Sequence, residues 1–486
     1  MKYIATFDFG TTAVKCVIID EMQKVVFFKE KELTTLNNGT YIEQDPNQWY
    51  TTFIELSQKF FNKGYANSDI SGIVCSGHMQ DLIVIGKNGE LMSNAIMYND
   101  HRGKSQLNLI SDDLTKLIIE KSANELNGTI PLTKLLWVRN NEEEIYKSIY
   151  KILFSSKDYI ITKLTNEYVS DVTTLATSGC MDIQSKQYIN EISSLGFDME
   201  ILPKICYADE VAGIVTSKAA NETGFLVGTK VYVGSGDAGA TTLASGISKE
   251  GEINISLGTS GWVASISNSV CENVFNIAAI NRGLYINVIP VLNAGNVHKW
   301  LANVIDGTAI KYDILHDAIN ESVPCSNGLY FLPYIVGERF PVSDDKVRGC
   351  YIGINANTTK ADIIRSTLEG VAFSIKQSLV ALNIKPNKIS LIGGGAKDSN
   401  WNQIFADVLG VDVIVYENSK FLPSMALASI VMLAQGKINS YDEFVTKLIK
   451  NEKSEVFKFS CDVNKIYNKG FKKFIKIYPA VKNLYD

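Results

Sequence analysis

The chain is 486 residues long, 46% apolar and 20% charged, which is the composition of an ordinary globular protein of several domains and excludes both a single small module and a disordered segment. With 47 basic against 52 acidic residues the formal charge is -5, so there is no general basic surface for nucleic acid or an anionic membrane. Dispersed cysteines without a Cys-x-x-Cys pair, no run of 18 apolar residues and no secretory pattern at the start point to a reduced cytoplasm.

In chain order, residues 3–9, 14–20 and 25–31 read as strands, separated by a Gly-Thr-Thr turn and an Asp-Glu-Met-Gln turn. Asp45-Pro46 then opens a helix whose apolar residues Trp49, Phe53, Leu56 and Phe60 recur at spacings of four, three and four. A buried strand at 70–75 runs into Ser76-Gly77-His78-Met79-Gln80-Asp81, and a second apolar strand follows at 82–85. From 131 to 214 the pattern is mostly helical, and residues 230–233 form a strand entering a glycine-rich turn.

The opening unit recurs deep in the chain, where residues 253–257 lead through Gly258-Thr259-Ser260-Gly261 into a strand at 262–266. Gly10 and Gly258 are 248 positions apart, so the sequence divides into related halves of 1–247 and 248–486. In the second half a capping-box pattern at Thr359 to Asp362 starts a helix. A strand at 389–392 then leads into the loop Gly393-Gly394-Gly395-Ala396, a helix at 401–409, a strand at 411–416 and a helix at 424–433. Alternating strands and helices make this an α/β protein.

Two Gly-Thr hairpins and a triple-glycine loop, each after an apolar strand, offer backbone N–H groups and hydroxyls to a polyphosphate. Asp8 stands just before Gly10-Thr11-Thr12, where a carboxylate can hold Mg2+ beside bound phosphates, and Lys15 can reach the same phosphates. The plainer reading of this segment is a hairpin turn. Gly234-Ser235-Gly236-Asp237-Ala238-Gly239 has the Gly-x-Gly-x-x-Gly spacing, but Asp237 would repel a pyrophosphate resting in the turn. Asp237 is instead read as a base for a substrate hydroxyl, with helix capping as the alternative. The loop carrying Met79, Gln80 and Asp81 suits hydrogen bonding to a sugar or polyol, while His78 reads as a packed histidine and not as a catalytic one. Tyr98-Asn99-Asp100-His101-Arg102 can form a local ion pair supporting that loop, with a solvated turn as the alternative. The four histidines, at 78, 101, 298 and 316, lack zinc-ligand spacing.

Taken together, these residues resemble the FGGY carbohydrate kinase family over nearly the whole chain. The resemblance rests on Asp8-Phe9-Gly10-Thr11-Thr12, Glu43-Gln44-Asp45-Pro46 with Trp49, Pro131 to Trp137, and Ser156-Lys157-Asp158-Tyr159. It extends through Gly236-Asp237, Ser256 to Gly261, Phe331 to Arg339, Gly349 to Ile354 with the stretch to Glu369, and Leu391 to Ala396. It implies two actin-like (ribonuclease-H-like) domains around a central cleft, the first binding sugar and carrying catalysis, the second mainly binding nucleotide. It also implies ATP and Mg2+ as cofactors, a cytoplasmic enzyme, and a small sugar as the partner rather than nucleic acid or membrane, with a homodimer left open.

By the same resemblance Asp237 is the catalytic base and Asp8 lies near Mg2+. Gly10, Thr11, Thr12, Lys15, Gly258 and Thr259 fall where phosphates bind, and Gly394, Gly395, Ala396 and Asn400 fall around the nucleotide. The implied reaction converts D-xylulose to D-xylulose 5-phosphate, with another ketose, gluconate or a polyol as alternatives and an actin-like ATPase without sugar transfer as the rival from another class. Family members acting on xylulose usually read Gln-Met-His-Gly and Gly-Asp-Asn, where this chain has His78-Met79-Gln80-Asp81 and Gly236-Asp237-Ala238. Two expected sugar contacts are thereby replaced.

Overall fold

The computed structural model describes residues 2–39, 41–258, 261–306, 319–416, 420–451 and 453–485. They form two compact units. The first comprises 1–244, 268–286 and 420–447, and the second 245–267, 287–419 and 448–486.

The first unit is built on a six-stranded sheet in the order Val211–Ile214, Lys230–Gly236, Ile70–Gly77, Tyr3–Phe9, Ala13–Asp20, Val25–Glu32. The first three strands of the chain form an antiparallel meander. Ile70–Gly77 lies parallel to Tyr3–Phe9, and Lys230–Gly236 parallel to Ile70–Gly77. Three neighbouring strands therefore end at one edge, the position at which open α/β sheets bind ligands. The helix Pro46–Phe61 starts where Asp45 accepts a hydrogen bond from Asn47 N, with proline at its first turn. Its stripe of Trp49, Phe53, Leu56 and Phe60 is fully buried, and the Phe53 ring lies 4.2 Å from that of Phe7 on the sheet. Each such side chain contributes about 1.5 to 3 kcal/mol relative to exposure, and this fixes the sheet whose edge carries the candidate site.

Two regions differ from the sequence reading. The strand expected at 230–233 continues to Gly236, so the glycine-rich stretch is strand end and not turn. Gly234 adopts φ +68, and a Cβ there would come within 2.0 Å of the Cys75 carbonyl oxygen, so the two strands approach as closely as they do only because this residue has no side chain. The region 131–214, expected to be mostly helical, holds the helices Pro131–Asn141 and Ser156–Thr165 but also the strands Ile149–Leu153, Val169–Asp171, Lys204–Cys206 and Val211–Ile214. Strands this short carry too little alternation to be read as a period.

The second unit repeats the motif. Glu252–Leu257 pairs antiparallel with Gly261–Ser267 and parallel with Lys388–Ile392, which pairs parallel with Val413–Tyr416. The helix Lys360–Ala381 opens on a capping box in which Thr359 and Asp362 each accept from the other's backbone N–H. Among the described residues no helix is long and apolar enough to cross a membrane.

Candidate active site

In the first unit the site grows from the parallel strand ends. Asp8 stands in register with Ser76, whose hydroxyl donates to Asp8 Oδ1 at 2.7 Å, and with Lys15 across the hairpin, whose Nζ lies 3.9 Å from Oδ2. Its side chain keeps 16% exposure, so the carboxylate is accessible to a cation or to water. The hairpin tip closes by Gly10 N donating to Ala13 O, and the carbonyls of Thr11 and Thr12 accept from Gln44 Nε2 at 2.7 Å and Leu33 N at 2.8 Å. Both threonines are thereby held at the rim.

Two strands away, Gly236 is in register with Gly77, and Asp237 is the first residue of the helix Asp237–Ala244. Its Oδ1 accepts from Ala238 N at 2.7 Å. Burial pushes the Asp237 carboxyl up to about 6; the His78 charge pulls the other way, while Asp8 and Asp81 add to the rise. A carboxyl so tuned can change protonation state near neutral pH.

The loop from 78 to 81 crosses between these aspartates. His78 N donates to Phe9 O at 3.1 Å, and its Nδ1 contacts Asp81 Oδ2. Asp81 is fully buried, with Oδ1 accepting from Tyr98 N at 3.1 Å, so both its oxygens serve the loop's own architecture. The Met79 thioether lies where a Cβ on Gly236 would fall, 2.5 Å away, which ties this loop to the residue before Asp237. Gln80 sits in the left-handed region at φ +65, with its carbonyl accepting from Lys134 Nζ at 2.8 Å. The same Nζ donates to Met97 O at 2.6 Å, and burial lowers the Lys134 ammonium to about 7. The ion pair expected within 98–102 forms between Arg102 and Asp100, Arg102 Nη2 reaching Asp100 at 2.8 Å and also Glu43 at 2.7 Å while its guanidinium covers Tyr41.

Sequence reasoning missed the network behind Asp237. Lys157, without exposed surface, reaches Asp158 at 2.6 Å and Asp171 at 2.8 Å. Asp171 caps the short helix Val172–Leu175 and accepts from Gly236 N at 3.4 Å. The motif containing Lys157 and Asp158 was visible, but Asp171 lies 14 positions from Lys157 in a segment without periodicity.

In the second unit a separate group forms at matching strand ends. Ser256 is in register with Ile392, so Gly258 and the loop after Ile392 lie side by side. Gly393 adopts φ +95, and a Cβ there would meet the Leu257 backbone at 2.8 Å. Gly258 O accepts from Gly295 N at 2.8 Å, at the start of the helix Gly295–Asp306. Gly395 and Ala396 form a tight turn, and Asn400 lies in the first turn of the helix Ser399–Leu409, capped by Asp398. Gly394 has open space where a side chain would be. Thr259 lies outside the described residues. Among the described residues no three His, Cys, Asp or Glu side chains converge as a metal cluster.

Residues 3–244 match the N-terminal domain and residues 253–422 the C-terminal domain of the FGGY family of carbohydrate kinases. The chain is 32% identical to the xylulose kinase of Staphylococcus xylosus, over 91% of this chain and 93% of that one. Among solved structures it is similar to a ligand-bound xylulose kinase from Lactobacillus acidophilus, with a TM-score of 0.88, 25% identity and coverage of 100% and 99%. A gluconate kinase from the same organism has a TM-score of 0.88 at 24% identity, with the same coverage.

Proposed function

The chain belongs to the FGGY family of carbohydrate kinases, and on that premise we propose that it transfers the γ-phosphoryl group of ATP to a hydroxyl of D-xylulose, giving D-xylulose 5-phosphate. The observation that carries this reading is the Asp237 carboxyl at a sheet edge, raised to about 6 and two strands from Asp8. Phosphoryl transfer asks the protein for alignment, charge neutralisation and a base more than for covalent chemistry. Asp237 takes the proton of the attacking hydroxyl, and the oxygen of that hydroxyl then bonds to phosphorus as the bond to ADP breaks.

The other residues divide by unit. Met79, Gln80 and Asp81 form the sugar loop of the first unit, where Gly10, Thr11, Thr12 and Lys15 attend the transferred phosphate. Gly258, Thr259, Gly394, Gly395, Ala396 and Asn400 cradle the nucleotide in the second. A single, partly exposed carboxylate suits Mg2+, which keeps several waters and binds through one or two carboxylates plus phosphates. Asp8 would hold it, and the ion would neutralise charge on the phosphates.

Similarity to the xylulose kinases favours D-xylulose. Gluconate is the second reading, favoured by the likeness to a gluconate kinase and by Gln80 and Ala238, which replace two expected xylulose contacts. A coupled ADP assay with D-xylulose, D-ribulose, gluconate and glycerol, with and without Mg2+, tests both. The expected result is Mg2+-dependent ADP release with D-xylulose and an equal amount of phosphorylated sugar. ADP release that no sugar accelerates would replace the kinase with an ATPase.

A further inference from the structure

His78 is buried, at 2% exposure, in a loop whose other members have assigned roles. Its Nδ1 is engaged by Asp81, its ring packs edge-on against Trp49 at 5.3 Å, and its Nε2 is buried without a hydrogen-bond partner. An imidazole with a carboxylate on one nitrogen is biased toward the doubly protonated form. The residue follows Gly77, which is in register with Phe9 on one side and Gly236 on the other, so Asp8, His78 and Asp237 lie on three adjacent strand ends.

We propose that His78, seated on Asp81, is a positioning residue that acts through Asp237: its imidazolium holds the Asp237 carboxyl ionised at the pH where transfer needs a base. This rests on the reading of Asp237 as that base.

The charges facing His78 agree in sign. Asp81 in its own loop, Asp237 at the head of its helix and Asp8 on the first strand all favour the cation, and together they hold His78 above the usual histidine range against the opposing effect of burial. The nearby cations are committed elsewhere. Lys15 lies beside Asp8, Lys134 on the carbonyls of Gln80 and Met97, and Lys157 between Asp158 and Asp171. The Asp237 carboxyl is drawn down by the His78 charge and by the hydrogen bond from Ala238 N, and of these two His78 is the titratable cation.

The test is a carboxyl carbon NMR titration of the intact protein, with Asp237 assigned by the signal lost in Asp237→Asn. In His78→Gln the Asp237 carboxyl should titrate about one pH unit higher than in the wild type, the size expected for loss of a neighbouring opposite charge. The acid limb of kcat/KM should move up by the same amount. The unmodified protein provides a second readout, because one of its four histidine imidazoles should remain protonated above neutral pH. An unmoved Asp237 titration in a folded His78→Gln variant overturns the proposal, as does a His78 that is neutral at pH 6. A changed sugar KM with an unmoved acid limb also overturns it, and makes His78 a sugar contact. Failure of the base assignment shows separately, as full turnover in Asp237→Asn.

Discussion

Lys157 Nζ lies 2.8 Å from one oxygen of Asp171, and the other oxygen of that carboxylate accepts from the backbone N–H of Gly236, the residue before Asp237. A fully buried ion pair thus reaches the base through one peptide group. Breaking such a pair by removing one partner typically costs about 3 to 5 kcal/mol, because the remaining charge stays buried and uncompensated. Lys157→Met is expected to lower stability by that amount in urea unfolding, through the carboxylates of Asp158 and Asp171 left behind. A loss below about 1 kcal/mol would mean that these carboxylates take up protons or water at little cost.

Asp237→Asn keeps volume and loses basicity. A general base contributes about 10²- to 10⁴-fold, so turnover should fall within that range while ATP affinity is kept. Since the working form is the carboxylate and burial raises its pKa to about 6, wild-type kcat/KM should rise with pH through about 6 and level off above it. A pH profile flat between 5 and 7.5 would remove Asp237 from the rate equation.

Lys134 holds two carbonyls with one buried ammonium, and burial lowers it from 10.5 to about 7. Between those two values the unfolded chain binds the extra proton, so this group makes stability increase with pH from about 7 toward 10.5. Lys134→Met should lose that increase, seen as the difference between urea midpoints of variant and wild type from pH 7 to 9.5. It should also raise the sugar KM more than it lowers kcat, because the Gln80 carbonyl loses its anchor. An unchanged sugar KM would separate the anchor from substrate binding.

Gln80 and Ala238 bear on specificity. A lost hydrogen bond to a bound hydroxyl costs about 0.5 to 1.5 kcal/mol, so the double change Gln80→His, Ala238→Asn is expected to raise kcat/KM for D-xylulose relative to D-ribulose and gluconate by up to about tenfold for each contact regained. Parallel kcat/KM measurements decide it. If every sugar responds alike, these side chains do not set the choice.

The parts of the site legible in the sequence were those made by contiguous chemistry: Asp8 before its Gly-Thr turn, Asp237 after its glycines, the triple-glycine loop. Each lies at or just after the end of an apolar strand. Hidden were the relationships made by pairing. His78 and Asp81 meet because Gln80 enters the left-handed region, which nothing in its side chain announces. Asp171 reaches Gly236 across 65 positions through a sheet edge whose strand register no local pattern fixes. The segment 131–214 misled for the related reason that its strands, like Val169–Asp171, are shorter than the windows in which alternation shows.

The first unit takes its last piece, residues 420–447, from late in the chain. There the helix Leu422–Ala434 is buried along almost its whole length, and just beyond it Gln435 Nε2 donates to Ser71 O on the strand Ile70–Gly77. On the ribosome, therefore, the sheet bearing Asp8 and Asp237 stays uncovered on that side until some 440 residues have emerged, since the helix must first clear the exit tunnel. Emerging chains will expose apolar sheet surface for most of their synthesis, and a fragment ending at residue 247 should need a chaperone or remain insoluble.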